Sequence, residues 1–342
     1  MKSTQIRLAA RPVGEPDADT FETVSVELPA LADGEVLLRT IYLSLDPYMR
    51  GRMSTAKSYA APLEIGDVIV GGTVCEVEES RNADLPVGTV VLAYTGWQTH
   101  AVSDGRGLRV LDAGAAPVST ALGVLGMPGF TAYAGLLEIG RPQPGETVVV
   151  AAATGPVGSA VGQIARLKGA RAVGIAGGPD KCRALTEEFG FDAAVDHRSP
   201  TFVDDLAAAT PEGIDVYFEN VGGPVFDAVL PRLNTYARVP VCGLVANYNA
   251  TSAPDGPDRL PSFLGSVLTR SLTVRGFIQS EFVESHGRAF LRDMTAWVAD
   301  GSVRYREDVA EGLESAPEAF IGMLRGRNFG KQLVRVGADP AA

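Results

Sequence analysis

The stretch from Thr147 to Lys168, TVVVAAATGPVGSAVGQIARLK, constrains this chain more than any other. It opens on β-branched residues, Thr147 to Val150, just after a turn-forming Pro144-Gly145-Glu146. A small-residue loop follows, and then Val161, Ile164, Ala165 and Leu167 recur at helical spacing. The order reads as a buried strand, a tight phosphate loop and a helix. The loop Ala153-Thr154-Gly155-Pro156-Val157-Gly158 is G-x-G-x-x-G with alanine in the first place. Gly155 lets the backbone approach a pyrophosphate, and Gly158 lets the helix pack closely on the strand. The helix N-terminus then offers free N–H groups and a positive dipole end to the anion. Such turns also serve as plain packing devices. What favours a dinucleotide here is a second strand-like run, Ala172 to Ala176, at the spacing of a βαβ unit.

Beyond that unit the alternation continues. Strands are expected at 147–152, 171–176, 193–195, 214–219 and 238–243, with a sixth at Leu272 to Phe277. Helices are expected at Gly129 to Ile139, 156–168, 180–189, 200–209 and 225–234. This pattern predicts a parallel, doubly wound sheet. Residues 1–125 differ: Phe21 to Leu28, Glu35 to Ser44, Val68 to Glu78 and Thr89 to Tyr94 read as strands between Gly and Pro turns. A small barrel-type β domain is expected there, so the fold class is α/β with a separate β-rich part. Asn249 to Pro261, rich in Pro, Gly, Asp and Ser, reads as a long surface loop, either a lid or a connector. The tail carries helix patterns near Phe290 to Ala299 and Ala316 to Leu324, then a strand from Lys331 to Val336.

Bulk properties exclude several classes. A chain of 342 residues holds about two domains. A net charge of −11 argues against non-specific binding to nucleic acid or anionic membranes. Cys75, Cys182 and Cys242 are scattered and odd in number, so no disulfide framework is implied. The opening MKSTQIRLAARPVGEP lacks a signal-type apolar core, and no apolar stretch reaches transmembrane length. A cytoplasmic enzyme is the expectation.

Metal chemistry finds little support. A structural zinc site needs four clustered cysteines, and a catalytic one needs convergent Cys, His or acid ligands. Neither the three cysteines nor His100, His197 and His286 show such spacing, so no metal is expected. No Ser-His-Asp or Cys-His arrangement stands out, which leaves hydride transfer. For the cofactor, an NAD enzyme usually has an acid at the end of its second strand. Here Ile175-Ala176-Gly177-Gly178 contains none, and Asp180 and Lys181 follow. The missing acid favours NADP, with Lys181 either a phosphate ligand or the start of a solvated helix face.

Several strings carry a resemblance: LSLDPYMRG at 43–51, GMPGFTAY at 126–133, FENVGG at 218–223, Cys242-Gly243 with Tyr248-Asn249, and NFGK at 328–331. The sequence resembles the zinc-free branch of medium-chain dehydrogenase/reductases that holds the NADPH-dependent alkenal/one reductases, including prostaglandin and plant double-bond reductases. The likeness runs over nearly the whole chain. It implies a GroES-like β domain at 1–125, a Rossmann domain at 126–280, and a segment at 281–342 that returns to the first domain. It places Lys181 against a 2′-phosphate and Gly155, Pro156, Val157 and Gly158 at the pyrophosphate. Asn220, Cys242, Gly243, Tyr248, Phe277, Ile278, Gln279 and Asn328 complete the implied cofactor contacts. His197 stands where relatives commonly have tyrosine and reads as a solvated histidine.

The resemblance also implies the reaction, reduction of the C=C bond of an α,β-unsaturated aldehyde or ketone bound between the domains. Tyr48 and Tyr248 are the implied pocket tyrosines, with Tyr59 a third possibility. Arg50 reads either as a substrate clamp or as a structural tie. A quinone reductase of the same superfamily and a non-catalytic NADPH-binding protein are the alternatives. A homodimer joined through the sheet edge at Leu272 to Phe277 is also expected.

Overall fold

The computed structural model describes residues 1–253 and 257–339. Within it the chain divides into two compact units, 1–123 with 307–342 and 124–306.

The first unit is rich in strands, because its apolar residues alternate or run in short β-branched stretches between turns. β1 (Lys2–Leu8) pairs antiparallel with β2 (Phe21–Glu27). β3 (Val36–Ser44) is the centre of the larger sheet, and eight of its nine residues are buried. It is followed by the short helix α1 (Tyr48–Arg52), then β4 (Thr73–Ser80), β5 (Val90–Ala93), β6 (His100–Ser103) and β7 (Arg109–Val110). β4 starts later than the expected Val68, because Gly71 passes too close to the preceding strand. A Cβ there would stand 2.9 Å from Leu43 Cδ1.

The second unit holds six parallel strands. These are β8 (Thr147–Ala151), β9 (Arg171–Ala176), β10 (Ala193–Asp196), β11 (Ile214–Phe218), β12 (Leu233–Val241) and β13 (Thr273–Gly276). Their order is β10-β9-β8-β11-β12-β13, so the winding direction reverses between β8 and β11. In open sheets of this kind, ligands bind outside the strand carboxyl ends at that reversal. β8 is buried along its whole length, as its TVVVA sequence requires.

The helices of this unit are α2 (Met127–Ala134), α3 (Pro156–Leu167), α4 (Pro179–Glu187), α5 (Phe202–Ala209), α6 (Gly223–Val229), α7 (Leu260–Thr269) and α8 (Val283–Ala299). α2 continues into a wide π-helical turn, Gly135–Gly140, which accounts for the longer helix expected there. α3 buries Val161, Ile164 and Ala165, whereas Leu167 at its end is exposed.

Three expectations change. β12 begins at Leu233, inside the stretch read as the end of a helix, and its register shifts against β11 between Leu233 and Arg238. The run read as a surface loop to Pro261 already contains the first two residues of α7; residues 254–256 of that loop lie outside the described residues. The return to the first unit begins at residue 307 rather than 281. α8 stays behind because Phe290 packs on Phe130 and Tyr133 of α2, with ring centroids 5.2 and 5.8 Å apart.

From residue 307 the chain rejoins the first unit as β14 (Glu307–Glu311), α9 (Ala316–Leu324) and β15 (Lys331–Arg335). β15 runs antiparallel to β3 and extends the sheet. α9 carries Phe320 against Trp97, at 5.7 Å between ring centroids, and Trp97 stacks on Phe21 at 5.6 Å. This aromatic group, with Ile6, Leu43, Met49 and Leu63, is a core that the first 123 residues cannot close alone.

Candidate active site

The loop after β8 is built for an anion. Gly155 is the N-cap of α3 and Pro156 its first residue, and no side chain caps the helix. The amide groups of that first turn are therefore available to a ligand. The loop gains its shape from Ala152, which takes a left-handed φ of 51° just after the strand. Gly158 is indispensable to it. A Cβ there would stand 2.5 Å from Ala152 O and 2.7 Å from Ala153 Cα, both backbone atoms. The residues present therefore fit a dinucleotide pyrophosphate.

At the end of β9, the chain turns through Gly177 and Gly178 into α4 without an acidic side chain. Asp180 is committed to Arg183 one turn on, and it is exposed. Lys181 follows it, half-buried. The turn after β10 adds what sequence reasoning missed. Asp196 accepts hydrogen bonds from Gly178 N at 2.8 Å and Arg198 N at 2.9 Å, and these bonds hold its carboxyl below its usual range despite burial. His197 and Arg198 then stand over Gly177. His197 is exposed, as expected, yet partial desolvation by its surroundings and then the Arg198 charge push its pKa down, with Asp196 acting the other way. Arg198 was legible only as one more surface arginine, since nothing in the sequence brings it to β9.

The remaining strand ends gather most of the expected cofactor residues. Asn220, just past β11, donates from Nδ2 to Ala151 O at 2.8 Å and so ties the ends of β11 and β8 together. Its neighbour Glu219 is buried, and Oε1 accepts from Val221 N at 2.6 Å and Gly222 N at 2.9 Å. Burial raises this carboxyl's pKa, opposed by those backbone donors. Glu219 thus shapes the turn that presents Asn220. Cys242 and Gly243 follow β12, and their amides donate to Glu219 O at 2.9 and 3.2 Å. Burial and the Glu219 carboxyl push the Cys242 thiol up to about 12, so it is no thiolate.

Tyr248 ends the short turn after Gly243. Its hydroxyl lies 3.2 Å from where a Gly243 Cβ would be, a tight approach that a larger residue there would have to push back. Ile278 and Gln279 lie after β13, with Ile278 N donating to Glu281 Oε1 at 2.7 Å. Phe277 differs from them. Its ring is buried between Phe218 and Phe282, at 6.1 and 6.0 Å, so its side chain is core and only its backbone is left for a ligand.

Tyr48 and Asn328 belong to the first unit. Tyr48 opens α1 and is half-buried. Burial raises its pKa strongly, and the Asp46 charge adds to this, with Tyr94 and Tyr59 behind. It is therefore a neutral phenol, a hydrogen-bond donor, throughout the working pH range. Asp46 is buried and salt-bridged to Lys331 at 2.8 Å, and Ser44 donates to its other oxygen. Arg50 is a tie: its guanidinium donates to Gly14 O at 2.7 and 3.2 Å and reaches Pro12 O at 3.4 Å. Asn328 donates from Nδ2 to Gly330 O at 2.8 Å. Tyr59 and Tyr94 are both exposed.

The chain thus holds a doubly wound parallel-sheet unit and a mostly antiparallel sheet unit. A family model described as the N-terminal domain of oxidoreductase matches residues 4–111, and one described as zinc-binding dehydrogenase matches residues 156–296. NADPH-dependent curcumin reductase of Escherichia coli is 54% identical over 332 residues, covering 97% of this chain and 96% of that protein. Prostaglandin reductase 1 of Sus scrofa is 43% identical over 327 residues, covering 94% and 96%. The crystal structure of CurA from Vibrio vulnificus in complex with NADPH superposes with a TM-score of 0.95 at 54% identity, over 98% of this chain and 100% of that one. The chain belongs to the medium-chain dehydrogenase/reductase superfamily, in the branch of these reductases.

Proposed function

We propose that this protein reduces the C=C bond of α,β-unsaturated aldehydes and ketones with NADPH. The observation that carries the reading is the 54% identity, over nearly the full length, with an enzyme named for NADPH-dependent reduction, on a scaffold whose β9 strand ends without an acidic side chain of its own. NADPH supplies the hydride, which the substrate receives at its β-carbon. The protein's part is to orient and to stabilise charge. Negative charge then develops on the carbonyl oxygen, and a neutral tyrosine hydroxyl is a suitable donor to it. Tyr248 and Tyr48 are our candidates, and the α-carbon takes its proton from one of them or from water. Deuterium from labelled NADPH should appear at the β-carbon of a saturated carbonyl product. Label at the carbonyl carbon, in an allylic alcohol, would defeat the assignment.

Cofactor choice has its own test. Lys181→Ala should weaken NADPH binding while leaving NADH binding nearly unchanged, and equal use of both by the wild type would sink the NADPH reading.

The reaction proceeds, in this reading, without zinc. Among the described residues no group of three or more His, Cys, Asp and Glu could hold a metal. His100 and His286 each face a single carboxylate, Glu78 at 3.3 Å and Glu138 at 3.4 Å. Activity should survive dialysis against chelator; a loss restored by zinc alone would reverse this.

We also place the protein in the cytoplasm as a homodimer. Its three cysteines are free, and no described helix is long and apolar enough to cross a membrane. β13 is the edge of the parallel sheet and is exposed along its whole length. Beside it in sequence, α7 buries none of its residues, and Leu260, Leu264 and Leu268 are 57%, 54% and 79% exposed at four-residue spacing. An unpaired edge and an apolar stripe of this kind call for a second copy. Light scattering at micromolar concentration should give twice the chain mass. Leu264→Asp with Leu268→Asp should halve it, and a monomeric wild type would refute the dimer.

A further inference from the structure

Glu219 directly follows β11, and only half of its buried carboxyl is hydrogen-bonded. Oε1 accepts from Tyr217 Oη at 3.2 Å, Val221 N at 2.6 Å and Gly222 N at 2.9 Å. Oε2 is buried as well and has no hydrogen-bond partner among the described residues. The backbone of Glu219 joins the same corner to β12, with its N–H donating to Pro240 O at 3.0 Å and its carbonyl accepting from Cys242 N and Gly243 N. The next residue, Asn220, reaches Ala151 O of β8. Residue 219 thus fixes the turn that carries Asn220 between two neighbouring strands.

The uneven sharing points to a protonation state. An ionised carboxylate spreads its charge over both oxygens, and a buried oxygen that carries charge without a donor is far costlier than a neutral one. Among the described residues no basic side chain is paired with Glu219. The titratable groups facing it are Tyr217 on β11 and Cys242 after β12, and burial keeps both neutral. Tyr217 already gives its one proton to Oε1, and a thiol is a weak donor. A carboxylic acid fits this arrangement: Oε1 is its carbonyl oxygen and takes every donor, while Oε2 carries the proton. Burial pushes the pKa of the group upward, in the same sense, and outweighs the backbone amides.

We propose that Glu219 is a positioning residue that works as a neutral acid, its carbonyl oxygen gathering the amides of Val221 and Gly222 so that Asn220 is presented from the end of β11 for turnover. The proposal rests on the reductase reading above, although the proton on Glu219 can be tested without it. When Oε2 loses that proton, the buried charge draws the side chain toward water and away from the two amides, and the turn loosens. Glu219 therefore sets an upper pH for turnover.

Glutamine reproduces the pattern of a carboxylic acid, a carbonyl oxygen beside a donor, whereas leucine fills the space and accepts nothing. Glu219→Gln should keep turnover within about twofold of the wild type at neutral pH. Glu219→Leu should lower it by about 10-fold or more, the size of one buried donor left unpaired. With an enone and NADPH across roughly pH 6 to 9, which brackets where buried glutamic acids titrate, wild-type turnover should fall on the alkaline side while Glu219→Gln stays flat. The infrared difference between wild type and Glu219→Gln, recorded without substrate, should show the carbonyl band of a protonated carboxyl at neutral pH, and this band should fade as turnover falls. Carboxylate bands alone in that difference at neutral pH, or a Gln variant as slow as the Leu variant, would overturn the proposal. An alkaline fall shared equally by Glu219→Gln would overturn the link to turnover. A wild type that shows the acid band and reduces no enone would refute the reductase reading and leave the protonated Glu219 standing.

Discussion

Lys331 and Asp46, two residues ahead of Tyr48, form a buried ion pair, and breaking it should be costly. Their side chains are 3% and 7% exposed. Lys331 Nζ donates to Asp46 Oδ1 at 2.8 Å and to Leu45 O at 2.6 Å. Lys331→Met would leave a buried carboxylate with the Ser44 hydroxyl as its remaining hydrogen-bond partner, and would strip the Leu45 carbonyl of its ammonium donor. Removing one member of a buried pair typically costs about 3–5 kcal/mol, because the other charge stays behind. Removing both by adding Asp46→Asn should cost less than the single change, the sign of direct coupling.

Urea unfolding can read this within one unit, since the chain's two tryptophans, Trp97 and Trp297, fall in different units. In a Trp297→Phe background, Trp97 fluorescence reports the unit that contains the pair. Because Tyr48 opens the helix two residues after Asp46, Lys331→Met should also lower turnover in protein that remains folded. A loss below about 1 kcal/mol, or a double variant no better than the single, would refute the reasoning.

Three further outcomes follow from the geometry. Burial holds the folded-state pKa of Glu307 above its unfolded value, against Ser119 and Lys331; wild-type stability should therefore fall as pH rises from the unfolded value through the folded one, and Glu307→Gln should flatten that fall in urea titrations from pH 4 to 8. Gly158→Ala drives a Cβ into the Ala152 and Ala153 backbone, so stability should drop by about 1–3 kcal/mol and NADPH binding, followed by nucleotide fluorescence, should weaken. Tyr48→Phe and Tyr248→Phe should each lower enone turnover by up to about 10²–10³ with little change in NADPH affinity, and a double variant as active as wild type would remove both from the chemistry.

Much of the fold was readable because its signals are local. β9 and α9 fall on the residues their patterns predict, Arg171–Ala176 and Ala316–Leu324, since each combines a clear period with Gly or Pro boundaries. α7 escaped for a physical reason. Its stretch LPSFLGSVLT contains proline and glycine, follows a turn-rich loop, and points its leucines outward, so no core-facing stripe marks it. α8 was assigned to the wrong unit because a helix's period identifies its apolar face but not the partner that covers it. Here the partner is Phe130, some 160 residues earlier in the chain.

The site divides along the same line. Gly155 and Gly158 fall at the strand-to-helix turn after β8, and Lys181 in the first turn of α4, as spacing along the chain predicts. Phe277 could not be resolved that way: its neighbours Ile278 and Gln279 follow the strand end, while its own ring fills the core beside Phe218. Arg198 was invisible for the opposite reason. Its approach to Gly177 depends on β10 lying beside β9 and on Asp196 bonding to two amides from different turns. Spacing along the chain thus locates the turn after β8, whereas the basic corner at Gly177 is set by contacts between neighbouring strands.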